Sequence, residues 1–176
     1  MNFCNSPVCL YNKEKDIVKR DVFQTHYNFR LPPLTSAYIQ GTCLNKAWIL
    51  YQRDIGVDRC GIIFRVFRGP FDTLELGKRF LTPFNLNEYV DKDSCVKICT
   101  DPKNITGGIE IDEIIIPGPD NSFGFRQNTK TLEQKTKVLK GNVDYVLQFQ
   151  HIKTVGDPTT IHVNWTWIEK DESFFK

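Results

Sequence analysis

The sequence lacks the features that mark membrane, secreted and strongly charged proteins. No stretch approaches the roughly 20 continuous apolar residues of a membrane-spanning helix, so no membrane partner is expected. Residues 1–20 show no basic start followed by an apolar run, so we expect no secretory signal and an intracellular protein. The formal net charge is only +2 at pH 7, which by itself indicates neither a nucleic-acid nor a membrane partner. Any nucleic-acid partner must therefore be held by a local cluster of cations.

Motifs for catalysis, cofactors and metals are also lacking. The sequence has no Gly-x-Ser-x-Gly elbow and no glycine pattern that cradles phosphates. The 3 histidines are far apart and form no His-x-His pair, and the cysteine spacings do not match those of zinc sites. We therefore predict that the protein is not an enzyme and that it uses no metal and no cofactor.

The 6 cysteines have two possible interpretations. An even count permits a disulfide framework, but a chain of this length without a secretory signal favours free thiols. Cys95 and Cys99 would lie roughly 13 Å apart on one strand, too far for a disulfide. Disulfides, and the sequons at Asn104 and Asn164, would become meaningful only in a secreted protein.

Aromatic residues and alternating patterns are abundant instead. The chain has 13 Phe, 6 Tyr and 3 Trp, and aromatic residues favour strands. Apolar and polar residues alternate over 143–152 and again over 160–168, with a Gly-Asp-Pro turn between them. Such alternation predicts strands with one buried face and one wet face, as in an antiparallel sheet. Trp165 and Trp167 belong to the apolar set, so we expect them in the core and not on a ligand platform.

The remaining pattern predicts about eight strands in all. The other strands are expected at residues 17–31, 38–44, 46–55, 61–68, 94–99 and 109–116. Residues 71–92 alternate poorly and are interpreted as a long insertion with short helical turns. Uneven connections favour an all-β, eight-stranded antiparallel jelly-roll sandwich with one long insertion. An immunoglobulin-like sandwich fits less well, because its Cys…Trp…Cys spacing is missing.

The chain is of a size that a single domain can have. Residues 1–16 are mixed and polar, and they are expected to form a flexible N-terminal arm. Residues 17–176 are expected to form one jelly-roll domain.

One stretch of the sequence is basic. Five cations fall within 15 residues and only Glu133 opposes them: Arg126, Lys130, Lys135, Lys137 and Lys140. Clustered cations bind phosphates because binding releases counterions, and the neighbouring Phe123 and Phe125 could stack on bases. The stretch therefore predicts a nucleic-acid-binding surface. The alternative is a lysine-rich edge strand that resists aggregation.

Several segments resemble capsid proteins of small circular single-stranded DNA viruses, of the geminivirus and nanovirus type. Residues 42–52 (TCLNKAWILYQ) resemble an early strand of those proteins, and residues 60–70 (CGIIFRVFRGP) are similar to the strand that follows it. Their carboxy-terminal strands resemble three segments here, residues 135–140 (KTKVLK), 143–149 (VDYVLQF) and 161–165 (IHVNW). The resemblance covers roughly residues 40–170, as strand pattern and spacing. One departure concerns the basic arm at the start of those proteins: residues 1–30 here hold five basic and three acidic residues, a net of +2.

The resemblance implies a structural subunit that self-assembles into an icosahedral shell enclosing nucleic acid. Its expected partners are further copies of itself and nucleic acid bound through phosphates. Its expected location is the virion, and the host cytoplasm or nucleus during assembly. Subunit contacts would use aromatic residues that the core does not need, namely Phe71, Phe80, Phe84, Phe174 and Phe175. The alternative is a β-sandwich binding module, lectin-like or cytokine-like, whether secreted or not.

Overall fold

The computed structural model describes residues 22–77, 79–87, 93–119, 128–131, 137–153, 156–171 and 173. For residues 51, 52, 128–131 and 137 it describes the backbone alone. The expected N-terminal arm, residues 1–16, lies outside the described residues.

Twelve strands form in this part of the chain. They are β1 (Val22–Leu31), β2 (Ser36–Cys43), β3 (Ala47–Val57), β4 (Ile62–Glu75), β5 (Arg79–Leu81), β6 (Phe84–Asn85), β7 (Val96–Thr100), β8 (Lys103–Ile116), β9 (Asn128–Thr131), β10 (Lys137–Leu139), β11 (Asp144–His151) and β12 (Thr159–Lys170). They pair into two antiparallel six-stranded sheets. Sheet A has the order β10-β3-β12-β1-β6, with β9 also paired to β3, and sheet B has the order β5-β7-β2-β11-β4-β8. The predicted all-β sandwich is confirmed.

The order of the strands is that of a jelly roll with one insertion. β5, β6 and β7 all lie between β4 and β8 in the sequence. Without them, sheet B is β2-β11-β4-β8, and sheet A is β1-β12-β3 followed by β9 and β10, which pair with successive parts of β3. If β9 and β10 count as one position, the sandwich has the predicted eight strands, and the chain changes sheet at most connections.

The insertion differs from its predicted form. The Thr73–Leu76 segment was expected to hold a helical turn, but β4 continues to Glu75 and pairs there with Lys103 of β8. Gly69-Pro70 therefore does not end the strand. Backbone pairing with a distant strand outweighs the weak local alternation, which is why this part could not be predicted from the local pattern.

The β4–β8 pair continues across the outside of sheet B. Here we call residues 69–75 and 103–108 the crossing ribbon: its near end adjoins β11 through Arg68, and its far end leads into β5 and β7 at the opposite edge of the sheet. Gln40, Cys99 and Val146 lie on this outward face yet are 4, 2 and 0% exposed. The path of the ribbon accounts for this unexpected burial.

The core lies between the sheets and is rich in aromatic rings. Trp167 of β12 stacks on Phe23 with ring centroids 6.2 Å apart, and its edge meets Trp48 at 6.4 Å. Trp48 in turn meets Tyr145 of sheet B at 5.9 Å. Trp165 and Trp167 are 2 and 0% exposed, so the prediction that they are core residues is confirmed.

The predicted wet face holds for only the first half of β12. His162 and Asn164 are partly exposed, but Ile168 farther along the same face is buried. Ile168 packs with Val22 and Ile49, and the insertion residue Leu86 packs against this cluster. Because the insertion packs over the outer face here, both faces of sheet A are buried at this end. The alternating pattern of β12 alone could not predict this.

Candidate functional site

The basic residues follow one edge of sheet A where the structure describes them. Lys130 in β9 pairs with Ile55, and Lys137 in β10 pairs with Leu50, so both lie beside β3. Ile55 lies five positions after Leu50 on β3, which places Lys130 and Lys137 roughly 17 Å apart along the edge. Lys140 follows β10 and is exposed, and its backbone N–H donates to the Tyr145 hydroxyl at 2.9 Å.

The other basic candidates, Arg126 and Lys135, and the neighbouring Phe123 and Phe125 lie outside the described residues. The backbone thus places Lys130, Lys137 and Lys140 along one edge of sheet A. A cluster of all five cations stays a prediction.

The predicted interface aromatics fall at three different places. Phe80 on β5 is 56% exposed at the edge of sheet B, and Phe84 on β6 is 44% exposed at the edge of sheet A. Phe71 is half-buried within the crossing ribbon, where its ring lies over Gly108. Gly108 has φ +86°, and a Cβ on it would come within 2.5 Å of the ring. Phe174 and Phe175 lie outside the described residues.

A polar concavity that the sequence did not predict lies on the outer face of sheet A. Its volume is about 550 Å³ and its walls come from β1, β12, β3 and β6. The lining residues are Gln24, His26, Asn28, Asp54, Gly56, Phe84, His162, Val163 and Asn164. We use the name polar concavity for this set.

The strand register explains why these residues meet. His26 of β1 is paired with Asn164 of β12, which is paired on its other side with Asp54 of β3. Two residues farther along β1, on the same face, Asn28 is paired with His162. The alternating pattern predicts which residues of β1 and of β12 are polar, but it treats each strand separately. Their meeting depends on long-range pairing, so no signal within one strand could have found the site.

Several side chains of the polar concavity are held in place by one another. Gln24 Nε2 donates to Asn164 Oδ1 at 2.7 Å, and His162 Nδ1 lies 3.0 Å from Asn28 Oδ1. The Phe84 ring meets the His26 imidazole edge-on, with centroids 6.5 Å apart. The arrangement presents amides, imidazoles and one carboxylate beside an aromatic wall, a combination suited to a polar ligand.

Two buried ionic groups lie inside the sandwich, and each has a polar partner there. Arg53 is 2% exposed and pairs with Asp112 at 3.1 Å, which joins sheet A to sheet B. Glu169 is 2% exposed and accepts hydrogen bonds from Ser94 Oγ at 2.5 Å and from the Cys95 N–H at 2.9 Å. Both groups connect parts of the fold and are remote from the outer surface.

The cysteines that the structure describes are free thiols: Cys43, Cys60, Cys95 and Cys99. Burial, with the nearby Glu169 charge as the next cause, raises the pKa of the Cys43 thiol to about 12. Burial also raises the pKa of Cys99. Since the thiolate is the reactive form, neither residue is an activated nucleophile.

Comparison with protein-family models, with curated proteins and with solved structures yields no match. The two-sheet sandwich that the resemblance to capsid proteins implies is present, but no family or homologue identifies a viral capsid. Among the described residues, no three His, Cys, Asp or Glu side chains are grouped as metal ligands would be. In the same part of the chain, no helix is both long and apolar enough to cross a membrane.

Proposed function

We propose that this protein is a capsid subunit that assembles into a shell around nucleic acid, in a virion. The observation that carries the proposal is the strand order, two four-stranded jelly-roll sheets with one insertion between β4 and β8. Capsid subunits are one of the known uses of that architecture. The segments that resemble geminivirus and nanovirus capsid strands fall on β3, β4, β11 and β12 of the same sheets.

The two edges of sheet B offer surfaces for self-association. Phe80, 56% exposed, lies on the edge strand β5, and Ile109 and Ile115, 53 and 60% exposed, lie on β8 at the opposite edge. Contact between the β5 edge of one copy and the β8 edge of the next would be heterologous. Such contacts close into rings when the rotation allows it, and a shell requires rings of this kind.

Imaging by negative-stain microscopy, with light scattering during size-exclusion chromatography, tests the proposal. We expect the wild-type protein to form particles of uniform size that carry nucleic acid, recorded by absorbance. Phe80→Ser and Ile115→Lys should each shift the protein toward small species, because each removes an exposed apolar contact. Lys97→Ser, an exposed change on the neighbouring strand β7, is the matched control and should leave the particles intact. A wild-type monomer at every salt and protein concentration would contradict the proposal.

A binding module remains the second candidate, and the polar concavity is the observation that favours it. A secreted module of this kind would have its cysteines in disulfides, so mass spectrometry without reductant separates the two candidates. Six free thiols would argue against the secreted module.

A further inference from the structure

We propose that the polar concavity on sheet A binds a neutral glycan, with one pyranose ring packed against Phe84. The site is separate from the shell contacts at Phe80 and Ile115, which lie at the edges of sheet B. Phe84, which the sequence predicted as a subunit contact, is assigned to the glycan instead. A shell subunit and a free binding module could both use such a site.

The charge of the lining favours a neutral ligand. Of the described lining residues, Asp54 is an acid and none is a lysine or an arginine. Phosphate groups are held by lysine and arginine, and a carboxylate beside them adds repulsion. The concavity is therefore unsuited to a nucleic-acid backbone, which the lysine stripe at the β9 and β10 edge would meet instead.

The hydrogen-bonding groups match hydroxyl groups. The side chains of Gln24, Asn28 and Asn164 are primary amides, and each carries both donors and an acceptor. A sugar hydroxyl likewise both donates and accepts, and the Asp54 carboxylate accepts only. Because Gln24 bonds to Asn164 at 2.7 Å and Asn28 lies 3.0 Å from His162, these groups are ordered before a ligand arrives. Preorganisation of this kind lowers the entropic cost of binding.

The aromatic wall supplies the apolar part of the site. Phe84 belongs to β6, which is paired to β1 with Phe84 opposite Gln24, so the ring is anchored at the rim. The ring is 44% exposed and lines the concavity. A pyranose has one face of C–H groups that can pack on such a ring while its hydroxyls meet the amides. The volume of about 550 Å³ lies within the usual range of small-ligand sites and has room for a sugar ring.

Saturation-transfer NMR with the full-length protein tests the inference. The probes are the methyl glycosides of glucose, galactose, mannose, xylose and N-acetylglucosamine, each at millimolar concentration. We expect transfer to at least one of them. Asp54→Asn keeps the shape of the side chain but removes the charged acceptor, and Phe84→Ala removes the wall. Each should weaken binding by about tenfold, since a hydrogen bond to a charged group or an aromatic contact has that order of effect.

The control is Gln148→Ala, which changes a partly exposed amide on the outer face of sheet B and should leave the transfer unchanged. Thermal unfolding of each variant separates lost binding from lost folding. Absence of transfer to all five glycosides overturns the inference, as does equal transfer in folded Asp54→Asn, Phe84→Ala and wild-type protein. Displacement of the sugar by a short oligothymidylate, with tighter oligonucleotide binding in Asp54→Asn, would also overturn it by assigning the concavity to nucleic acid. None of these results depends on whether the protein forms particles.

Discussion

At the scale of single residues, the core contains polar side chains that the alternation of polar and apolar residues does not predict. Arg53 occupies an inward position of β3, opposite Trp165 of β12, where the pattern calls for an apolar residue. The side chain is tolerated because Asp112 reaches it from the other sheet at 3.1 Å. The inward position of Arg53 could not be predicted from the sequence, because a bulge in the β3–β12 pairing shifts the register near Thr166. Its partner Asp112 could not be predicted either, because it lies on a strand distant in sequence. Apolar core positions, by contrast, followed from the pattern at Ile161, Val163 and Trp165.

Asp58 supplies a pH dependence at this scale. Burial alone would raise the pKa of its carboxyl, but hydrogen bonds from Thr160 and Thr159 and the charge of Arg59 outweigh burial and hold the pKa below its ordinary value of 3.8. The Thr160 N–H donates to the carboxylate at 2.6 Å, which ties the β3–β4 loop to β12. A lowered pKa in the folded state means that the ionised carboxylate stabilises the fold above pH 3.8, and that this contribution is lost as pH falls through the folded pKa.

Asp58→Asn should therefore lower the free energy of unfolding at pH 7, and the difference from wild type should shrink as the buffer is taken below pH 4. Urea unfolding at several pH values measures this difference. Asp157→Asn is the matched control, because Asp157 pairs with Arg59 at 2.8 Å but is 76% exposed, and its effect should be small. A difference for Asp58→Asn that stays constant from pH 7 to pH 2 would contradict the assignment.

At the scale of elements, the strands that follow the jelly-roll order were predictable and the inserted strands were not. β3, β11 and β12 alternate strongly, so their own residues indicate them. β5 has three residues and β6 has two, too few for an alternating pattern. They are strands only through their backbone pairing with β7 and β1. For the same reason the polar concavity could not be predicted: β6 brings Phe84 to it, and three strands distant in sequence supply the rest.

Glu169 fastens the insertion to the sandwich at this scale. Its carboxylate accepts from the Ser94 hydroxyl, the Cys95 and Val96 N–H groups and Trp167 Nε1, at 2.5 to 3.3 Å. These four donors share Oε1, and the Cys95 N–H also reaches Oε2 at 3.1 Å. A glutamine could keep the bonds to Oε1 through its amide oxygen, but it would lose the negative charge and turn an NH₂ group toward the Cys95 N–H. Glu169→Gln should therefore lower the free energy of unfolding by about 1–3 kcal/mol, because hydrogen bonds to a charged acceptor are stronger than bonds to a neutral one.

Denaturant unfolding measures that loss, and hydrogen exchange locates it. Exchange should quicken first at Cys95 and Val96, where β7 begins. Glu113→Gln is the comparison, because Glu113 is an exposed partner of Arg65 and its change should cost little. Equal stability of Glu169→Gln and wild type would show that the insertion is held by other contacts.

At the scale of the whole molecule, we predict that the basic edge of sheet A binds nucleic acid. The Lys135→Glu/Lys137→Glu double variant should bind single-stranded DNA more weakly. The slope of log affinity against log salt should become shallower by about 1.4, because two phosphate contacts are lost. Fluorescence anisotropy over a series of salt concentrations gives both quantities. Lys97→Glu/Lys103→Glu, the same change of charge on exposed residues of sheet B, should leave the slope almost unaltered. Wild-type binding that does not vary with salt would remove the basis for this surface.

The position of β12 has a consequence for how the chain reaches its final form. β1 and β3, separated by the whole of β2, have no bonds to each other within sheet A, and each is paired along most of its length with β12. Sheet A therefore closes only when β12, distant in sequence from both, pairs with both. Pairings of such long sequence separation form slowly. While β12 is unpaired, the backbone groups of β1 and β3 on that side have no strand to bond to. The β12 of a second molecule has the same sequence and could pair there instead, so we expect exchange of this strand between copies when the protein is refolded at high concentration.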